Sequence, residues 1–146
     1  MEPWLLYKIQ NMIQRIQSLW LLLASLSCFA SLRMPFYSGV DKTGQPHILT
    51  ATDGLILMIL TVAGGLLALI SIFLFKQRKI QVRMSVAGIF IQLIVLVLYY
   101  REYSSYQSGA LALTSLLPGL VIFFLFFAIR AIGKDIDLLK SSDRLR

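Results

Sequence analysis

The sequence predicts an all-α polytopic membrane protein, a bundle of four transmembrane helices, and three observations predict it. Four long apolar runs recur along the chain. Charged residues make up 14% of it, against about 25% in soluble domains. Lys and Arg crowd into alternate connections between the runs. A soluble chain needs polar surface to cover its core, and this one lacks the residues to supply it. The net charge of +7 would otherwise suggest nucleic acid. Here the cations flank apolar spans, so the positive-inside rule accounts for them and no nucleic-acid partner is expected.

The chain reads as a single membrane domain over 1–146. Leu5, Ile9, Met12, Ile13, Ile16, Leu19 and Trp20 recur at helical spacing. Gln10, Gln14, Arg15 and Gln17 lie off that stripe. This predicts an amphipathic segment over 3–15, with Pro3 in its first turn, running into the first span. It suits an interfacial anchor or a docking helix. The spans themselves are predicted at about 16–33, 54–75, 84–100 and 110–132, with a charged tail over 133–146. Each is near the roughly 17–25 residues that cross about 30 Å of hydrocarbon as a helix.

The connection from Met34 to Asp53 is long, with turn signals at Ser38-Gly39 and Thr43-Gly44. His47 to Ala51 reads as a short strand, and Pro35 to Val40 more weakly so. A small β-hairpin is therefore expected in this first outer loop. Asp53 stands where the N-cap of the second helix should be. Pro118 should kink or start the fourth helix.

Orientation follows from the cations. Lys8 and Arg15 precede the first span, Lys76, Arg78, Lys79 and Arg83 separate the second and third, and Arg130, Lys134, Lys140, Arg144 and Arg146 close the chain. The other connections hold only Arg33, Lys42 and Arg101. Both termini and the Lys76–Arg83 connection are therefore expected in the cytoplasm, across a bacterial inner membrane. Tyr99, Tyr100, Tyr103 and Tyr106 would then form an outer aromatic belt, with Trp20 near the inner interface.

Within the spans, Gly64 and Ala68 form one small groove, and these two with Gly88 are expected to serve close helix packing within the chain, with packing against a second copy as the alternative. Gln92 falls near mid-membrane, where an unpaired amide is costly, so an intramembrane polar contact is expected of it. Ser25-Leu26-Ser27-Cys28 faintly resembles a lipoprotein cleavage site, but the order of small and apolar residues is inverted. Cys28 is better taken as a small packing residue of an uncleaved helix.

Chemistry-bearing patterns are sparse. The only histidine, His47, has no ligand spacing with Asp41 or Asp53. No carboxylate lies inside a span. Phosphate loops, nucleophile elbows and metal motifs do not occur. A non-enzymatic protein without a cofactor or a metal is expected.

Two stretches resemble a known family. Met12-Ile13-Gln14-Arg15-Ile16-Gln17 with Leu19-Trp20-Leu21-Leu22 is similar to the opening of the domain of unknown function 4293 (DUF4293) family of Bacteroidota membrane proteins. Ala128-Ile129-Arg130-Ala131-Ile132, Lys134-Asp135 and Ser142-Asp143-Arg144-Leu145-Arg146 resemble its terminus. The resemblance implies four helices in an inner membrane and implies no activity. The family's usual start corresponds to Met12, leaving Met1 to Asn11 as a preceding segment.

Both stretches fall at the cytoplasmic face. Arg15, Arg130, Asp135, Asp143, Arg144 and Arg146 are therefore expected to form an interaction surface there, with Arg15 and Arg130 near Asp135, Asp137 or Asp143. Independent snorkelling of the cations to lipid headgroups is the plainer alternative. The function expected is that of an accessory, scaffold or assembly subunit, with the bilayer, another membrane protein or a second copy as partner. A small transporter or channel component, resting on Gln92 and the Gly64-Gly65 pair, is the alternative.

Overall fold

The computed structural model describes residues 3–144. In chain order these form α1 (Pro3–Ser31), β1 (Tyr37–Val40), β2 (Pro46–Leu49), α2 (Leu55–Phe73), α3 (Arg78–Tyr103), β3 (Ser108–Leu111), a 3-10 turn (Leu113–Leu116) and α4 (Leu117–Arg144). The protein is mostly helical, with four helices and one small sheet. Each helix packs on its neighbours in sequence, and α1 closes the ring on α4.

The ring is built on one periodicity. Gln17, Leu21, Ala24, Cys28 and Ser31 are buried on α1, and Leu57, Thr61, Gly64, Ala68 and Ser71 on α2. Gln81, Ser85, Gly88, Gln92, Val95 and Tyr99 are buried on α3, and Val121, Leu125, Ala128, Ile132 and Asp135 on α4. In every case the spacing alternates between four and three residues. That repeat keeps one narrow stripe facing its neighbours and belongs to left-handed bundles with knobs-into-holes packing.

The stripes combine small and polar residues with a few large apolar ones, while many of the large apolar side chains face outward. Leu55, Phe73, Phe90, Val97, Leu113 and Phe126 are among many exposed ones. This is the reverse of a water-soluble helix. Three helical stretches, Leu55–Phe73, Arg78–Tyr103 and Leu113–Ser141, are long and apolar enough to cross a membrane. The first helix, where Gln17, Ser18, Ser25, Ser27 and Ser31 dilute the apolar residues, is not among them.

Small residues set how closely the helices approach. A Cβ on Gly64 would lie 3.7 Å from Cys28 Sγ and Gln92 Oε1. One on Gly65 would lie 3.1 Å from the Phe29 ring and 3.2 Å from Cys28 Cβ. One on Gly88 would meet Leu125 Cδ1 at 3.1 Å. Beside this seam the Ser25 hydroxyl donates to the Gly65 carbonyl at 3.1 Å, tying α1 to α2.

One end of the bundle carries the sheet. Its order is β2-β1-β3, antiparallel throughout, with Tyr37 opposite both Leu49 and Leu111. The expected hairpin is therefore two of three strands. The third comes from residues that sequence assigned partly to the fourth span, because Ala110 to Leu117 is apolar enough to read as helix. Pro118 at the second position of α4 marks its actual start, since a helix tolerates proline in its first turn. At its other end α4 runs unbroken through Gly133 to Arg144, so most of the expected tail is helical. The third helix likewise begins earlier and ends later than 84–100.

The β1–β2 turn places Gly44 at φ 78°, a left-handed conformation that glycine adopts without a Cβ clash. Aromatic stacking fastens the sheet to the bundle. Phe36 lies flat on Tyr99, with centroids 3.9 Å apart, and Tyr37 meets Tyr103 and Tyr106 edge-on. Tyr99 is thus buried in a core with Leu49, Leu57 and Val95 instead of joining the belt, while Tyr100 is exposed. Asp53 does not cap α2. Its carboxylate accepts from the Thr50 amide and hydroxyl, and Gly54 occupies the cap position without a side-chain bond.

The glycine contacts generate a differential test. Gly65→Leu should lower stability by about 1–3 kcal/mol, the usual penalty for overpacking. Gly64→Ala, which meets only ordinary contacts, should cost under about 1 kcal/mol. Unfolding of both variants in detergent measures this, and equal losses would show that helix approach is not set at Gly65.

Candidate functional site

The polar side chains of the stripes form layers across the ring. In the middle, Cys28 Sγ lies 3.8 Å from Gln92 Oε1. Both residues are fully buried, and Gln92 Nε2 has no partner among the described residues. Ala68 lies on the same inner stripe as Gly64, in the core cluster with Cys28 and Leu125.

A second layer lies nearer the end opposite the sheet. Gln17 precedes Cys28 by eleven residues, and Gln81 precedes Gln92 by the same number. Eleven residues make almost three whole helical turns, so each glutamine shares the inward face of its partner in the first layer. Gln81 Nε2 donates to the Ser71 carbonyl at 2.9 Å, across to the end of α2. Gln81 Oε1 and both amide atoms of Gln17 are buried without a partner among the described residues. An unpaired buried amide costs about 1–3 kcal/mol, so these groups oppose folding unless something else meets them.

The third layer is an ion pair. Arg78 Nε donates to Asp135 Oδ2 at 2.5 Å. The carboxylate is buried and the guanidinium largely so, and Asp135 Oδ1 has no partner among the described residues. The pair fastens the first residue of α3 to α4, next to the short α2–α3 connection. It also fixes register: the nine residues of α4 after Asp135 run on past the start of α3, about 14 Å at 1.5 Å per residue.

The structure redistributes the expected cytoplasmic surface. Asp135 pairs with Arg78, not with Arg15 or Arg130, both of which are exposed and make no ion pair among the described residues. The side chains of Asp143 and Arg144, and all of Arg146, lie outside the described residues. So do the side chains of Ile9 and Ile13, whereas Met12, Ile16 and Leu19 of the same stripe face outward. Nothing local marked Arg78, Gln17 or Gln81 as inward-facing. The available signal was the heptad through Ser85, Gly88 and Gln92, which extends back one step to Gln81.

At the sheet end, His47 Nδ1 and the Tyr106 hydroxyl lie 2.7 Å apart, and His47 Nε2 is 4.0 Å from Asp53 Oδ1. Burial first, then the nearby charges of Asp53, Asp41 and Glu102, push the Tyr106 phenol above its ordinary pKa. Among the described residues no three metal-ligating side chains gather closely enough to hold an ion.

One family pattern, Domain of unknown function (DUF4293), matches residues 13–145. No curated protein and no solved structure is similar enough to match.

Removing one partner of the buried pair should be costly. Asp135→Ala is expected to destabilise the protein by about 3–5 kcal/mol, because it strands a largely buried guanidinium. Combining Asp135→Leu with Arg78→Met should restore much of that loss. Unfolding in detergent micelles checks both, and strictly additive effects would mean that the two side chains act independently.

Proposed function

The chain belongs to the DUF4293 family, and we propose that it is a four-helix integral protein of the bacterial inner membrane, with both ends in the cytoplasm. We further propose that it acts as a non-enzymatic accessory, scaffold or assembly subunit. The observation that carries the membrane assignment is the reversed distribution of side chains. Small and polar residues line the helix contacts, and leucine, isoleucine and phenylalanine cover the outside. Helices in lipid associate in this way, through close packing and internal polar contacts. The first helix is held between α2 and α4 by Leu21, Ala24 and Cys28, so it crosses wherever they cross.

Orientation rests on charge. Arg33, Lys42 and Arg101 are the cations of the two connections at the sheet end. The opposite end holds the middle connection, the start of α1 and the end of α4, with ten of the remaining Lys and Arg. The scaffold reading is supported by the length of α1 and α4, which carry charged sequence beyond the start of α3 and offer partners a pair of helices. A second membrane protein or a second copy suits such a surface. The alternative, a small transporter or channel component, draws support from the buried amide of Gln17 and the half-paired amides of Gln81 and Gln92.

Reporter fusions test the topology. A fusion at Arg146 should report cytoplasm, and one near Thr43 should report the opposite side. The same signal from both sites would overturn the four-span arrangement. Deleting Ser141–Arg146 should leave insertion intact and abolish co-purification of partners in mild detergent. A truncated chain that retains every co-purifying protein would return the tail to a purely topogenic role.

A further inference from the structure

Between α1 and α4, at the end opposite the sheet, lies a groove of about 340 Å³ lined by Ile16, Trp20, Phe127, Arg130, Ala131 and Lys134. Its walls follow from helical spacing. On α1, Ile16 and Trp20 are four residues apart and share a face. On α4, Arg130 and Ala131 follow Phe127 by three and four residues and precede Lys134 by four and three, so all four share another. The groove is chemically graded along its length. Toward mid-bundle it is aromatic, with Trp20 stacked on Phe127 at 5.2 Å and on Phe124 at 5.9 Å. Toward the end it is cationic, with the exposed Arg130 and Lys134. From Phe127 to Lys134 is about 10 Å along the helix.

We propose that this groove is a binding site for one anionic glycerophospholipid, its phosphate between Arg130 and Lys134 and an acyl chain along Trp20 and Phe127. The proposal rests on the membrane assignment made above. Charge complementarity identifies the occupant. Neither cation makes an ion pair among the described residues, although Asp135 adjoins Lys134 in sequence, because Asp135 turns inward to Arg78. Two unpaired cations therefore stand together over an apolar floor. A guanidinium offers a phosphate a bidentate contact and the ammonium adds a point charge. The grading runs in the sense a phospholipid requires, with the headgroup outward and the chain toward the middle of the bilayer. A soluble anion would use the cations and leave the aromatic floor unmatched, while a zwitterionic lipid would match the floor and offer the cations no net charge.

Trp20 supplies the readout. In the full-length chain with Trp4→Phe, Trp20 is the only tryptophan. Reconstituted into phosphatidylcholine vesicles containing a trace of acyl-brominated lipid, its fluorescence should be quenched by either lipid. Brominated phosphatidylglycerol should half-quench at a mole fraction roughly tenfold lower than brominated phosphatidylcholine, as expected of two cations beside an anionic headgroup. Arg130→Gln with Lys134→Gln should remove that preference. Lys79→Gln with Arg83→Gln, exposed cations of α3 near the same end, should leave it. Equal quenching by both lipids would overturn the lipid site and leave the membrane assignment standing. A preference lost equally in both double variants would also overturn it, in favour of general surface charge. No quenching by either lipid would overturn both readings.

Discussion

The close approach of the helices at Gly64, Gly65 and Gly88 is the constraint on which the rest of the structure depends. On the proposed membrane reading, lipid tails are as apolar as leucine, so apolar burial gives the helices little reason to associate. What remains is contact, and contact between backbones requires small side chains. The layer that holds Cys28, Gly64, Ala68, Gly88 and Leu125 supplies it. The four-and-three spacing carries this approach along the whole length of each helix. Once the seams are narrow, many large apolar residues are left outward, and only a few, such as Leu21, Leu125 and Ile132, fit inside. The apolar surface and the polar interior are therefore two consequences of one packing rule.

That rule also explains why polar groups are concentrated in layers. A stripe of small residues leaves room for an occasional longer side chain to reach across the ring, as Gln92 reaches toward Cys28 and Gln81 reaches Ser71. Hydrogen bonds of this kind contribute on average about 0.6 kcal/mol in a membrane protein. Their value lies in fixing register more than in affinity, because a one-residue slip would turn the amide toward the outside. The Arg78–Asp135 pair does the same at the end of the bundle, where water reaches the guanidinium but not the carboxylate. Together the three layers fix how far each helix slides against the others.

Much of this was legible in the sequence, and the exceptions have physical causes. The four helices followed from apolar run length, and Gly64, Ala68 and Gly88 stood out by residue size. The β1–β2 hairpin followed from turn residues. The third strand did not, because Ser108 to Leu111 pairs with β1 across a distance in sequence that local pattern cannot span. Asp53 was misassigned because a turn aspartate and an N-cap aspartate precede a helix in the same way, and only the Thr50 bonds distinguish them. The partner of Asp135 was hidden for a related reason. Charge pattern brings Arg15, Arg78 and Arg130 to one end, but only helix rotation decides which of them faces inward. Arg78 does, one turn before Gln81 on the α3 seam, and Arg130 does not.

The two ends of the bundle are therefore closed by different physics, and this divides the molecule's capacity for interaction. At the sheet end, backbone pairing satisfies β1 on both of its edges and the Phe36–Tyr99 stack fastens the sheet to α3. Its geometry is over-determined, since moving β1 would break its ladders with both β2 and β3 and the Phe36–Tyr99 stack at once. At the other end, a single ion pair joins α3 to α4, and beyond it α1 and α4 continue without α2 or α3 beside them. The cations there outnumber the acids in sequence, and among the described residues the inward-turned Asp135 neutralises Arg78. Arg130 and Lys134, beside the groove, make no ion pair among the described residues. A fold that spends its inward carboxylate on register thus leaves its outward charge for whatever meets that end, lipid headgroup or partner helix alike.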